Sequence, residues 1–394
     1  MRVVEVNPGA KLYVHFTEGL LVLARRRQFL ARKNTRRSGS VVTINDVARH
    51  AGVSPMTVSR VINSGTNVRE ETRDRVNASI KALRFSPNLA ARNLASAGSI
   101  HIGLICSNPS AAYLSELLMG SMEQSRISGC QLVIEECEGS GKERDAILHM
   151  VRGGIDGVIL VPPLCDSEEA LAAVVEAGLP AVLVASGRPA AGISAVSIND
   201  FEAARAMTRY LLALGHRRIA FINGHPNQTA SGQRLRGYVE GMTEAGLSIG
   251  TDQVAQGYFK YRSGLAAAEM LLSGYKPTAI FASNDEMAAA TMAVAHRKGL
   301  DVPGDLAVAG FDDTPLATTV WPELTTVRQP IADMAREAVR MLIEQVRRRR
   351  AGTPPAVTHK VVKFSLVERE SSMRPAGAAP QAPAIRRKAP SSKS

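Results

Sequence analysis

The sequence predicts a chain of α/β class, in which an all-helical head precedes a longer core of doubly wound parallel sheets. Three observations predict it. Helix start and stop signals crowd residues 43–83. From residue 100 onward, short apolar runs alternate with helical patterns, the order that builds parallel sheets covered by helices on both faces. Residues 99–370 are also too many for one such sheet and fit two lobes, each with ligand groups at strand C-terminal ends.

In the head, Thr43-Ile44-Asn45-Asp46 is a capping box that starts a first helix. Ile44, Val47, Ala48 and Ala51 follow at helical spacing, and Gly52 ends the helix where the chain must turn. Ser54 is the next N-cap, with Pro55 at the first helical position. A third helix runs from Arg69 to Leu83, with Val76, Ile80 and Leu83 on one face. Helix, glycine turn and capped second helix make a helix-turn-helix.

In such a unit the second helix lies in the major groove with its N-terminal residues on base edges, here Ser54, Pro55, Met56 and Thr57. Val58, Val61 and Ile62 would face inward, while Ser59 and Arg60 can hold phosphate oxygens. Pro55 and Met56 carry no bidentate hydrogen-bonding group, so they would read bases by shape and apolar contact. On residues alone, a small helical bundle that binds something else is the competing reading. The coincidence of capping box, Gly52, Ser-Pro start and local positive charge favours DNA.

Charge is unevenly placed. Residues 1–99 carry 17 basic and 6 acidic side chains, residues 100–370 carry 26 and 30, and residues 371–394 carry five and none. A basic head on a slightly acidic body implies a polyanion partner for the head. Cys106, Cys130, Cys137 and Cys165 show no C-x-x-C spacing and no clustered histidines, which points to reduced thiols and no metal site. No apolar run reaches the ~18–20 residues of a membrane-spanning helix, and the arginines after residues 19–24 have the reverse order of a signal peptide. A soluble, cytoplasmic protein is expected, with no membrane partner and no cofactor. Residues 371–394, rich in Ala, Pro, Ser and basic residues, read as a disordered tail.

The candidate strands of the core are 101–106, 131–135, 157–161, 181–185, 195–198, 218–222, 253–256, 279–282, 306–311 and 361–367. Most are continuously apolar, as strands covered on both faces are. Helices such as 116–128, 203–214, 264–272, 285–298 and 331–349 lie between them. The expected lobes are 99–214 with 330–355, and 215–327 with 356–370. Enzyme readings fail on pattern. Around Gly141-Lys142 a phosphate loop would need a glycine at Glu136 and Ser or Thr at Glu143, and neither a G-x-S-x-G elbow nor a metal-ligand cluster occurs.

The stretch Val47-Ala48-x-x-Ala51-Gly52-Val53-Ser54-x-x-Thr57-Val58-Ser59-Arg60-Val61-Ile62-Asn63 resembles the head of the lactose-repressor and purine-repressor (LacI/GalR) family. The resemblance continues through Phe85-Ser86-Pro87-Asn88 and Ala91-Arg92-Asn93-Leu94-Ala95. In the core it is carried by Leu214-Gly215-His216-Arg217-Arg218-Ile219-Ala220, Arg234-Leu235-Arg236-Gly237-Tyr238, Ala282-Ser283-Asn284-Asp285, Gly310-Phe311-Asp312-Asp313-Thr314 and Leu324-Thr325-Thr326-Val327-Arg328-Gln329-Pro330. In all it spans Thr43 to Glu370.

The resemblance implies a head over 43–86, a hinge helix over 87–98 and a core like the periplasmic sugar-binding proteins, whose two lobes close over a small molecule. It implies that Leu94 wedges into the minor groove at a kinked base step, with the small Ala91 letting two hinge helices approach. Thr43, Asn67 and Asn88 complete the DNA-contact set. It also implies that Arg234 and Asp312 hold an effector and that Phe259 stacks on a sugar face. Asn284 and Asp285 follow a strand and would offer an amide or carboxylate. Tyr113 and Leu114 stand where the family usually has two phenylalanines. Glu202 and Gln228 are placed by spacing alone. No leucine heptads follow the core, so dimers are expected.

The function implied is a ligand-responsive repressor of carbohydrate genes that binds a pseudo-palindromic operator. The competing reading, a bilobed transport or sensory protein, would call for a signal peptide and no helix-turn-helix. In the family the head begins near the N-terminus, so residues 1–42 suggest translation starting near residues 40–42, against a disordered basic arm as the alternative.

Overall fold

The computed structural model describes residues 43–62, 68–83, 99–107, 110–137, 141–354 and 356–372. The expectations for residues 1–42, Asn67, Asn88, Ala91, Leu94, the hinge helix and the tail from residue 373 lie outside them. The chain divides into two units, a head and a core, at about residue 88.

Three helices make the head: α1 (Ile44–Ala51), α2 (Pro55–Ile62) and α3 (Glu70–Ala82). The Thr43 side chain accepts from the Asp46 amide while Asp46 accepts from the Thr43 amide, so the capping box is closed. Gly52 ends α1 at φ 65°, a left-handed conformation that glycine adopts without steric cost. Val47, Ala48, Ala51, Val58, Val61 and Val76 form the core of this unit. Ser79 ties α3 to α1 by a 3.0 Å hydrogen bond with His50 Nδ1.

The core holds two six-stranded sheets. The first contains β1 (His101–Cys106), β2 (Gln131–Glu136), β3 (Gly157–Leu160), β4 (Ala181–Val184) and β5 (Ser194–Ser197). Its helices are α4 (Ala111–Ser128), α5 (Glu143–Arg152) and α6 (Glu168–Glu176). The chain then crosses to α7 (Asp200–Ala213), β6 (Ile219–Asn223), α8 (Thr229–Glu244), β7 (Val254–Gln256), α9 (Tyr261–Ser273), β8 (Ala279–Ala282), α10 (Asp285–Arg297), β9 (Ala307–Asp312), α11 (Leu316–Thr319) and β10 (Thr325–Arg328). It returns through α12 (Ile331–Arg350), β11 (His359–Val361) and β12 (Ser365–Val367). The strand orders are β11-β5-β4-β3-β1-β2 and β12-β10-β9-β8-β6-β7. Every pairing is parallel except β10 with β12.

The lobe boundaries expected from sequence need correction. Helix α7 packs on α8 and on β10 and β12, so the first lobe ends near residue 198 and not 214. The apolar run 361–367 is not one strand: β11 pairs with β5 in the first sheet and β12 with β10 in the second. Residues 371 and 372 belong to the fold and not to a tail. Ser371 is fully buried and donates to the Val308 carbonyl at 2.6 Å.

Candidate functional site

The first candidate surface is the exposed side of α2. Ser54 accepts from the Thr57 amide at 3.2 Å, starting the helix as its sequence predicts. Val58 and Val61 are buried against the other helices, which leaves Pro55, Met56 and Arg60 on the outside. Met56 is 64% exposed, and the Arg60 guanidinium reaches its sulfur at 3.7 Å. Thr57 and Ser59 are half-buried. The Thr43 hydroxyl donates to Asp46 at 2.7 Å and is therefore engaged in the capping box.

The second candidate site is a narrow cleft between the lobes of the core, lined by Ser110, Tyr113, Pro162, Ala185, Gln228, Ala230, Arg234, Phe259, Asn284, Asp312 and Gln329. Arg234, in the second turn of α8, is its centre. Its Nε donates to Asp200 at 2.8 Å and its Nη1 to the Ser283 carbonyl at 2.5 Å. Asp312 stands 3.7 Å from the same guanidinium, which lies over the Phe311 ring at 3.6 Å from its centroid. The group is thus fixed on three sides before any ligand arrives.

Burial pushes the carboxyl of Asp200 up, although Arg234 acts against it. Burial likewise pushes Asp312 well above the usual carboxylate range, with Arg234 again opposing. Gln329 donates to Asp312 at 2.6 Å, but the Gln329 Oε1 and the Tyr113 hydroxyl are buried without a partner. Leaving a buried polar group unpaired costs on the order of 1–3 kcal/mol.

Five described non-glycine residues have positive φ. Three of them, Ala185 (57°), Phe259 (59°) and Asp312 (113°), line this one cavity. Such backbone conformations cost about 1–3 kcal/mol each and concentrate where a surrounding structure enforces them, often at binding sites.

The lobes also touch across the cleft. Asp166, from the first lobe, accepts from both the amide and the hydroxyl of Thr229 at 2.8 Å. These bonds cap α8, whose own N-cap Gln228 makes no side-chain bond. Gly187 allows the approach, because a Cβ there would fall 2.7 Å from the Ala230 amide nitrogen. Ser110 donates to Glu286 of the second lobe at 2.8 Å.

Six of the residues singled out from sequence therefore meet at the cavity: Tyr113, Gln228, Arg234, Phe259, Asn284 and Asp312. Three do not line it. Leu114 packs half-buried against the core. Glu202 forms an ion pair with Arg205 at 2.7 Å. Asp285 is buried, accepting from the Thr314 amide at 2.8 Å and from the hydroxyls of Thr314 and Thr326 at 3.0 and 2.6 Å. It anchors the loop after Asp312. Asn284 lines the cavity but is partly engaged elsewhere: it caps α10 through Met287 and donates to the Phe259 carbonyl at 3.0 Å. Sequence reasoning missed Ser110, Pro162, Ala185, Ala230 and Gln329 in the lining, and Asp200 behind Arg234.

Among the described residues no group of His, Cys, Asp and Glu could hold a metal ion, and no helix is long and apolar enough to cross a membrane.

A family model described as "Bacterial regulatory proteins, lacI family" matches residues 43–88, and one described as "Periplasmic binding protein-like domain" matches residues 208–372. Catabolite control protein A of Priestia megaterium is 36% identical over 304 residues, 76% of this chain and 91% of the relative. The HTH-type transcriptional repressor PurR of Escherichia coli O1:K1 / APEC is 33% identical over 336 residues, 84% and 97% of the two chains. Among solved structures, the lac repressor dimer bound to operator and the anti-inducer ONPF has a TM-score of 0.64 at 29% identity, covering 85% of this chain and 100% of that one. The complex of the transcriptional regulator CelR with cellobiose has a TM-score of 0.64 at 31% identity, covering 84% and 99%. By its sequence relatives and its fold, the chain belongs to the LacI family of bacterial regulatory proteins, as a DNA-binding transcription regulator and not an enzyme.

Proposed function

We propose that this regulator represses carbohydrate-utilisation genes as a homodimer on a pseudo-palindromic operator, and that a neutral sugar in the interlobe cavity switches it. The observation that carries the reading is the cavity itself. Arg234 and Asp312 converge there with the unpartnered Tyr113 hydroxyl and Gln329 oxygen, on a backbone held in three left-handed conformations. The Arg234 guanidinium already has two buried carboxyl groups beside it, Asp200 and Asp312, so it is not a free cation for an anionic ligand, and a ligand rich in hydroxyls would be accommodated. Phe259 is the candidate platform for an apolar sugar face. The solved relative CelR, described as a complex with cellobiose, favours the same class.

The dimer reading rests on an apolar surface of the first lobe. Met119, Met122 and Ile127 of α4 are exposed, as are Val133 and Ile134 of the edge strand β2, and exposed apolar side chains favour association. Pro55 to Arg60, with Thr57 and Ser59 at the base of the same helix, are the proposed DNA-reading residues. Leu94 is the proposed wedge.

A thermal-shift panel of mono- and disaccharides, sugar phosphates and purine bases tests the effector class. Neutral sugars should raise the melting temperature of the full chain and leave that of Arg234→Ala unchanged. Stabilisation by a purine base or a sugar phosphate alone would reject the sugar assignment.

A further inference from the structure

We propose that the strand-start end of the first lobe carries a second DNA-contacting surface, an arginine rim that holds backbone phosphates beside the sequence the head reads. The proposal rests on the reading of the head as the operator-binding unit.

The last turn of α12 contains Arg347, Arg348, Arg349 and Arg350. Arg350 donates to the Ser99 carbonyl at 3.1 Å and to Asp156 at 2.7 Å. Ser99 is the first described residue of the core after the head, so this helix end sits where the chain enters. Two other helices of the lobe end at the same place. Asp156 follows the last turn of α5, which carries the exposed Arg152. Cys130 follows the last turn of α4, which carries the exposed Arg126. The Gln131 amide, just past α4, donates to the Ile100 carbonyl at 2.9 Å, and α12 packs against α4, so these helix ends share one edge of the lobe.

Arg348 and Arg350 have carboxylate partners, Glu344 and Asp156. Arg126, Arg152, Arg347 and Arg349 are exposed and form no ion pair among the described residues. Four unpaired guanidinium groups thus meet at one end of a body whose residues 100–370 are net acidic. A helix C-terminus favours cations through its dipole, an effect confined to the last turn. That accounts for one arginine at each end. It gives no reason for four consecutive ones on α12 with two left unpaired.

Tethering supplies the partner. Leu83 closes the described head and Ser99 opens the core, a span of at most about 55 Å even when fully extended. A tether of this length raises the effective concentration of head-bound DNA at the core, and planar guanidinium groups match phosphate geometry.

The test measures the salt dependence of binding of the full chain to a 60-bp duplex of arbitrary sequence, using Arg347→Gln/Arg349→Gln. If each arginine neutralises one phosphate, the slope of log K against log salt should flatten by about two per protomer. Arg347→Lys/Arg349→Lys should keep the original slope. An unchanged slope in the Gln variant, with a lower melting temperature, would mean that the arginines serve only the helix end, and the proposal would be wrong. Loss of the slope in the Lys variant would equally overturn the electrostatic account. Arg60→Ala is the control. If it flattens the slope by about one while the Gln variant does not, the head reading stands and the rim falls. If the wild-type chain binds no duplex, the head reading itself fails.

Discussion

The second lobe brings Gln228, Arg234, Asn284 and Asp312 to the cleft, whereas the first brings Ser110, Tyr113, Pro162 and Ala185. Both lobes are built on six-stranded, mostly parallel sheets, but their contributions differ in kind. The charged groups of the cavity all belong to one lobe, with Asp200 behind them. The facing lobe offers hydroxyls, a proline and a strained alanine. A charged cluster whose partners share one lobe keeps its ion pair when the lobes separate, so an opening motion need not desolvate or rehydrate a broken pair. On the proposed reading, the second lobe orients the effector and the first closes over it.

Arg234→Ala should give the largest effect. It leaves Asp200 and Asp312 buried without their cation, which costs about 3–5 kcal/mol, measurable as a lower urea midpoint, and it should abolish the effector response. A loss below about 1 kcal/mol would mean that the two carboxyls are neutral without it.

Next is Asp285→Asn, again in the second lobe. Burial pushes this carboxyl up to about 7, against hydrogen bonds from Thr326 and Thr314. A folded pKa above the unfolded value near 4 means that the folded chain binds more protons. Stability is then fullest below pH 4 as far as this group is concerned, and declines as pH rises toward 7. Asp200 and Asp312 act in the same direction. The variant should show a smaller fall in urea midpoint between pH 5 and pH 8 than the wild type; an equal fall assigns the dependence to the other two.

Tyr113→Phe, in the first lobe, removes an unpartnered buried hydroxyl. The free chain should hold or gain up to about 1 kcal/mol of stability, while sugar affinity falls no more than about tenfold. A hundredfold loss would contradict the division of labour between the lobes. Smallest of all is Glu202→Ala, because its side chain pairs with Arg205 away from the cavity; calorimetric affinity for the sugar should not change.

The parts of this architecture carried by short-range signals were legible in the sequence. The capping box at Thr43, the turn at Gly52 and the Ser54-Pro55 start are local chemistry, and all three fall where expected. The fully buried strands β3, β4, β8 and β9 were legible as apolar runs. Strands β11 and β12 were not, because β11 is exposed and mostly polar and shares only Val361 with the apolar run 361–367, of which the end alone forms β12. Helix α8 gives little local sign of its start, since its capping carboxylate, Asp166, is 63 residues away and in the other lobe. Asp200 escaped for the same reason, its guanidinium partner lying 34 residues later. Ala185, Pro162 and Ala230 have no chemistry that would single them out before the fold places them.

The cap on α8 links secondary structure to the state of the cleft. If the lobes part, Thr229 loses the Asp166 carboxylate and its amide, at the start of α8 one turn before Arg234, is left bare. A lost N-cap is worth roughly 1 kcal/mol, enough to change the ratio of closed to open molecules by about fivefold. Fraying at that end would loosen the same helix that presents the guanidinium to an incoming ligand. On the proposed reading, the helix that presents Arg234 is finished by the opposite wall, and the sharpness of the response is set in part by a carboxylate that never has to touch the signal molecule.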